Sequence, residues 1–342
     1  FAGMGFQRIL RDVVGDRGTD ATNLGGPSIV ALIHAAQLAA GSDVSVRFYG
    51  VRGDDPSGRA IADIVSRTPV DISGYKTASG RTPFTNVFSD PTYDNGHGER
   101  TFVNALGVAA EYGPEQLDDS FYDADVLVFG GTALVPRIHD SLTPLLERGK
   151  RAGALTVVNT VYDFRAEKRN PTAPWPLGDT EKSLPLIDLL VTDREEALRI
   201  SGESNAERAI AALSDGGAHS CVVTQGSDDV LVVSDGTVFD SVGLRRLPVS
   251  EAVRSEILSN PERAGDTTGC GDNFAGGLLA SIAMQREASV DGRLDLPDAC
   301  SWAIASGGYA CFYVGGTYLE NSPGEKRSNI VPYYDAYREQ IR

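Results

Sequence analysis

The sequence predicts an α/β fold: a central, mostly parallel sheet with helices on both faces, and a small β-sheet lid. Two observations carry this. Continuous apolar runs of strand length alternate with longer stretches that read as helices, the pattern of a sheet buried on both sides. Between residues 70 and 112 the alternation gives way to short β-branched and aromatic segments around a polar stretch. That change reads as hairpin strands projecting from the main body. The expected organisation is a main domain of residues 1–69 and 113–342, with the lid at 70–112.

The elements follow in order. Phe1–Phe6 reads as a strand, and residues 27–40 as a helix with Pro27 in its first turn. Val44–Gly50 is a short apolar strand and Ser57–Ser66 a helix. TPFTNVFSD (82–90) and RTFVNALG (100–107) are hairpin strands around the turn-rich DPTYDNGHGE (90–99). DVLVFGG (125–131) is a buried strand followed by a helix over 136–150. LTVVNT (155–160) and LIDLLVT (186–192) are strands flanking a Pro-rich loop, and Glu195–Ser201 is helical. SCVVTQG (220–226) and VLVVSDG (230–236) are strands joined by a turn.

Composition narrows the function. With 342 residues the chain can bury one large core plus a small appendage. Hydrophobic residues at 41% and charged residues at 23% suit a globular protein, not a disordered one. No apolar run reaches the ~18–20 residues of a membrane-spanning helix, and no secretory leader is visible. A net charge of −16 without a basic patch argues against nucleic acid or an anionic membrane as partner. An anionic ligand must then be held locally, by backbone N–H groups and a divalent cation. Cys221, Cys270, Cys300 and Cys311 form no C-x-x-C pair, and the four histidines are scattered. A zinc site is therefore not expected, and reduced thiols point to the cytoplasm.

The chemistry concentrates in Ala264–Ala280, AGDTTGCGDNFAGGLLA. The turn Gly269-Cys270-Gly271 leads into Asp272 and then an apolar helix. Glycines permit close backbone approach, and free N–H groups at a helix start favour an anion. Such a turn can meet the charge that shifts during phosphoryl transfer. Asp272 beside it can accept a proton from an attacking hydroxyl. A bare GxGD could equally be a glycine-rich helix start with an acidic first turn.

The longer string resembles the D-T-T-G-A-G-D-x-F signature of the ribokinase-like (PfkB) kinases, with Cys270 in place of the central Ala. The resemblance implies an ATP-dependent kinase acting on a hydroxyl of a small carbohydrate-like substrate. Asp272 would be the general base, the 269–271 amides the anion hole, and Cys270 a packing residue. Asn23-Leu24-Gly25-Gly26 is similar to the family's substrate-contacting glycine pair, and Gly50–Gly58 to its G-x-V-G-x-D-x-x-G segment. Arg52 there replaces a usual apolar residue. The substrate contacts so implied are Asn23, Gly25, Gly26, Asp54, Asp55, Asn104 and Arg165. Thr192–Glu196 is similar to the N-x-x-E motif that organises magnesium, with Asp193 for Asn. An oxygen ligand is retained, and Asp193 with Glu196 can also form a helix capping box. Val223-Thr224-Gln225-Gly226 resembles the V-T-x-G stretch near the nucleotide. Asp193, Glu196, Thr224, Gly226 and Thr268 are thus the implied nucleotide contacts. Glu196 and Asp193 would bind Mg2+ through water, and Asp266 K+. The family's lid often dimerises, which implies a homodimer.

Many relatives end the first strand in a substrate-binding Asp, where this register puts Arg8. Arg8 would then favour an anionic substrate, or be a surface residue. Two alternatives stay open: a nucleoside kinase with the same apparatus, and a non-catalytic ligand-binding member of the fold.

Overall fold

In the computed structural model the described residues are Arg8, 21–90, 99–288 and 292–342. The strands are β1 (Gly50–Gly53), β2 (Tyr75–Ala78), β3 (Phe84–Asp90), β4 (Glu99–Ala105), β5 (Val126–Gly130), β6 (Leu155–Asn159), β7 (Leu189–Asp193), β8 (Ser220–Gln225), β9 (Asp228–Ser234) and β10 (Val242–Leu247). Six of them form one sheet in the order β10-β9-β8-β7-β6-β5. β5 to β8 are parallel, and β9 and β10 extend the edge antiparallel.

The apolar runs of β6 and β7 have no polar face because both faces are covered. Leu190 and Val158 pack on one side with α3 (Leu142–Arg151), α4 (Arg194–Ser201) and α5 (Ala206–Asp215). Their neighbours Leu189 and Val157 point the other way. They meet α1 (Pro27–Leu38), α6 (Cys270–Ala288), α7 (Leu296–Tyr309) and α8 (Glu325–Gln340). α2 (Pro56–Val65) lies outside α1, with Val65 buried against Ile29 and Ile33. Gly276 lets α6 press on α1, since a Cβ there would sit 2.5 Å from the Ala31 carbonyl oxygen.

Two small sheets stand apart: the parallel pair β1-β2 and the antiparallel hairpin β3-β4. The β1-β2 pair spans the expected lid boundary at residue 70. The predicted helix 136–150 breaks at Ser141 into a short turn and α3. Val44–Gly50 contributes only a single bridge, Arg47 to Asp71, before β1 begins. The predicted strand Phe1–Phe6 and most of the 90–99 turn lie outside the described residues. Arg8 is helical and exposed and does not end a strand.

Because β5 to β8 run parallel, their carboxyl ends Gly130, Asn159, Asp193 and Gln225 share one edge. Open α/β sheets place their ligands outside that edge. Leu190 is fully buried in the middle strand. Leu190→Ala should therefore lose about 2–5 kcal/mol of stability in urea unfolding.

Candidate active site

The loop before α6 is held by backbone contacts to a distant segment. Gly265 N donates to the Cys311 carbonyl at 2.7 Å, and Asp266 N to that of Tyr313 at 3.3 Å. Asp266 Oδ1 then accepts from Thr268 N at 2.9 Å and Gly315 N at 3.2 Å. Gly269 has φ +81° and lies against Gly316, whose Cα would be 2.2 Å from an added Cβ. Only glycine fits both demands.

The backbone of residues 269–271, the expected anion hole, makes few hydrogen bonds of its own. Among the described residues the N–H groups of Gly269 and Gly271 donate to nothing, while that of Cys270 reaches Thr267 O at 3.3 Å. The Cys270 thiol turns away and packs 3.5 Å from that of Cys311, as a packing residue would. Asp272 follows in the first turn of α6. Its carboxyl makes no hydrogen bond or ion pair among the described residues. Desolvation alone pushes its pKa up to about 6.

A single cleft unites Asp272 with Asp266, Thr268, Gly269, Glu196, Asn23, Gly25, Gly26 and Asn104. Asn23 donates to the Val314 carbonyl at 2.9 Å, which ties the substrate-side glycines to the loop facing Asp266. Gly26 caps α1 with φ +110°. Asn104 on β4 accepts from Thr85 at 2.6 Å and looks into the cleft from the hairpin.

Asp193 and Glu196 form the capping box of α4. Asp193 Oδ1 accepts from Glu196 N at 2.8 Å, and Glu196 Oε2 from Asp193 N at 3.3 Å. Thr160 and Thr192 also donate to Glu196. Burial, then the Asp193 charge, push the Glu196 pKa up to about 7, and burial raises that of Asp193. Two buried carboxylates, one raised further by the charge of the other, suit a hard cation. Among the described residues no cluster of three such side chains exists, so water or phosphate would have to complete the shell. Thr224 stands opposite Asp193 across β7 and β8, with Gly226 exposed in the turn beyond. Neither lines the main cleft.

Three of the expected substrate contacts make other contacts in this structure. Asp55 caps α2 and also accepts from Thr82 N and Oγ1, which pushes its pKa down to about 2. Asp54 accepts from Gly80 N at 3.0 Å. Both carboxylates tie down the root of the lid and lie outside the cleft. Arg165 makes a two-pronged ion pair with Asp140 at 3.1 and 2.9 Å, again away from the cleft. Conversely, sequence reasoning missed the buried Lys326. It sits in the polar run SPGEKRS, which carries no burial signal.

The family model described as "pfkB family carbohydrate kinase" matches residues 11–322. The chain belongs to this family. A fructokinase of Klebsiella pneumoniae is 30% identical over 267 residues, 76% of either chain. A cytidine kinase of Thermococcus kodakarensis is 27% identical over 233 residues, 67% of this chain and 72% of that one. In three dimensions the chain is similar to the adenosine kinase of Sinorhizobium meliloti, with a TM-score of 0.70 at 20% identity. That match covers 95% of this chain and 88% of the other. As a PfkB-family member the chain is a phosphotransferase with an alcohol acceptor and ATP as co-substrate. Among the described residues no helix is long and apolar enough to cross a membrane.

The two glycines of the turn should respond differently to a methyl group. Gly269→Ala meets both positive φ and the Gly316 backbone, whereas an added Cβ on Gly271 meets nothing within 4 Å. Gly269→Ala should lower Tm by several degrees, and Gly271→Ala should hold Tm within about 2 °C in calorimetry.

Proposed function

We propose that the chain transfers the γ-phosphoryl group of ATP to a hydroxyl of a small carbohydrate-like acceptor, with Asp272 as general base. The observation that carries this reading is the Asp272 carboxyl, unpartnered among the described residues, in one cleft with Gly269 of the anion turn and with Asn23, Gly25 and Gly26. An acceptor held between Gly25, Gly26 and Asn104 would present its hydroxyl to Asp272. The carboxylate takes the proton as the oxygen attacks phosphorus. The free N–H groups of Gly269 and Gly271 meet the negative charge that shifts during transfer. They supply locally what a chain of net charge −16 lacks globally.

Glu196 and Asp193 would hold Mg2+ through water, with Thr224, Gly226 and Thr268 beside the nucleotide. The metal would neutralise phosphate charge. Potassium beside Asp266 would reinforce the junction of the 266–269 and 311–316 segments. A homodimer through the β3-β4 hairpin is part of this proposal. The compartment proposed is the cytoplasm. Phe84, Phe102 and Phe164 line the cleft and are each about 40% exposed. They offer faces on which a planar base can stack, so a nucleoside acceptor is the second reading.

The first test is phosphoryl transfer from Mg·ATP across sugars, sugar phosphates and nucleosides. Asp272→Asn should lower turnover by ~10²–10⁴-fold on whichever acceptor works. Unchanged turnover would remove Asp272 from its role, and no transfer to any acceptor would favour a non-catalytic member.

The raised pKa gives a second test. The base must be ionised, so kcat/KM should fall as pH drops through about 6, not near the ~4 of an ordinary aspartate. A native pKa above the unfolded value means that ionised Asp272 costs stability above pH 6. Asp272→Asn should therefore melt no lower than the native chain at neutral pH.

A further inference from the structure

Behind the anion turn lies a buried polar cluster that this chemistry leaves unused. Asn273 follows Asp272 and is 0% exposed. Its amide nitrogen donates to the carbonyls of Gly269 and Gly316, each at 2.8 Å. Its amide oxygen accepts from Lys326 Nζ and from the Tyr313 hydroxyl, each at 2.9 Å. Both N–H bonds and both lone pairs of the amide are thereby used. Asn273 is thus a rivet between the first glycine of the turn and the segment it rests on.

Lys326, near the start of α8, is only 1% exposed. Its ammonium lies 5.5 Å from the ring centre of Tyr313 and 5.6 Å from that of Tyr318. Among the described residues it forms no ion pair. Desolvation pushes its pKa down to about 7 against the pull of Glu320, whose Oε1 accepts from the Lys326 backbone N–H. His34 of α1 faces the same cluster beside Asn273, and burial, then the Lys326 charge, hold its pKa well below the usual imidazole range. A buried lysine without a carboxylate is costly, and an apolar residue of similar length would normally serve packing as well or better. Its one strong bond is to Asn273.

We propose that Lys326 is a positioning residue for phosphoryl transfer: through Asn273 it clamps the Gly269 carbonyl against Gly316 and so sets where the Gly269 and Gly271 N–H groups stand. This rests on the phosphoryl-transfer reading above. The contact is indirect, so the loss should appear in turnover more than in substrate binding. The charge also sits behind the N-terminus of α6, adding to the positive field at the anion hole.

The test compares native chain, Lys326→Met, Lys326→Gln and Asp272→Asn with the acceptor found active. Lys326→Met should lower kcat by about tenfold or more, a fraction of what losing an anion-hole donor costs, while KM values stay within about threefold. Its Tm should not fall, because a buried charge is removed. Lys326→Gln, which keeps a donor without the charge, should recover part of the lost turnover. The pH profile separates positioning from simple packing. Facing Lys326 are Glu320, His34, Tyr313 and Tyr318, and of these groups Lys326 is the one poised to lose charge just above neutrality. Native kcat should therefore decline above pH 7, and Lys326→Met should lack that decline. A folded Lys326→Met with native kcat and pH profile would overturn the proposal. If neither Lys326 variant folds, a native kcat that is level from pH 7 to 9 overturns it. Failure of the kinase reading looks different: the native chain itself would transfer phosphate to nothing.

Discussion

The site depends on the seam between the loop entering α6 and the segment 311–316. Gly265, Asp266 and Gly269 lie on one side, and Cys311, Tyr313, Gly315 and Gly316 on the other. One carboxylate oxygen of Asp266 gathers amides from both sides. Gly269 is then pressed so close to Gly316 that no side chain fits between them. The helix N-terminus, the free N–H groups and Asp272 inherit their places from this contact. Asn23 reaches the same segment through the Val314 carbonyl, so the substrate-side glycines are referenced to it as well.

Electrostatics follow from that geometry. The chain is strongly acidic, yet its candidate reaction brings together a polyanion and a carboxylate base. Burial raises the pKa values of Asp272 and Glu196, to about 6 and about 7, and so makes both carboxyls less strongly anionic than ordinary ones. Positive potential comes from backbone N–H groups and the helix dipole, both at fixed positions and needing no reorganisation. The exposed carboxylates Asp54 and Asp55 are committed elsewhere. They fasten the chain between Gly80 and Thr82 to the start of α2, at the point where the small sheets leave the main body.

Much of the fold was legible because parallel strands buried on both faces must be continuously apolar, and β5 to β8 are. The signature Asp266–Phe274 was legible because its glycines answer local demands, a left-handed turn and a close approach. The capping box of Asp193 and Glu196 was likewise readable three residues apart. Asp54, Asp55 and Arg165 each have a partner that motif reading does not supply: Gly80, Thr82 and Asp140. A carboxylate or guanidinium looks the same in sequence whether it meets a substrate or its own chain.

The sequence by itself determined the α/β layering and the glycine turn that leads into Asp272, since these follow from periodicity and from residue types within a few positions. Only the tertiary structure decided which polar groups are free and which are spent. Asn23 meets Val314 across 291 positions, and Lys326 meets Asn273 across 53. Such contacts leave no periodic trace, because the energy of a buried hydrogen bond depends on what folding brings opposite it. The same principle left the Asp272 carboxyl without a hydrogen-bond partner among the described residues.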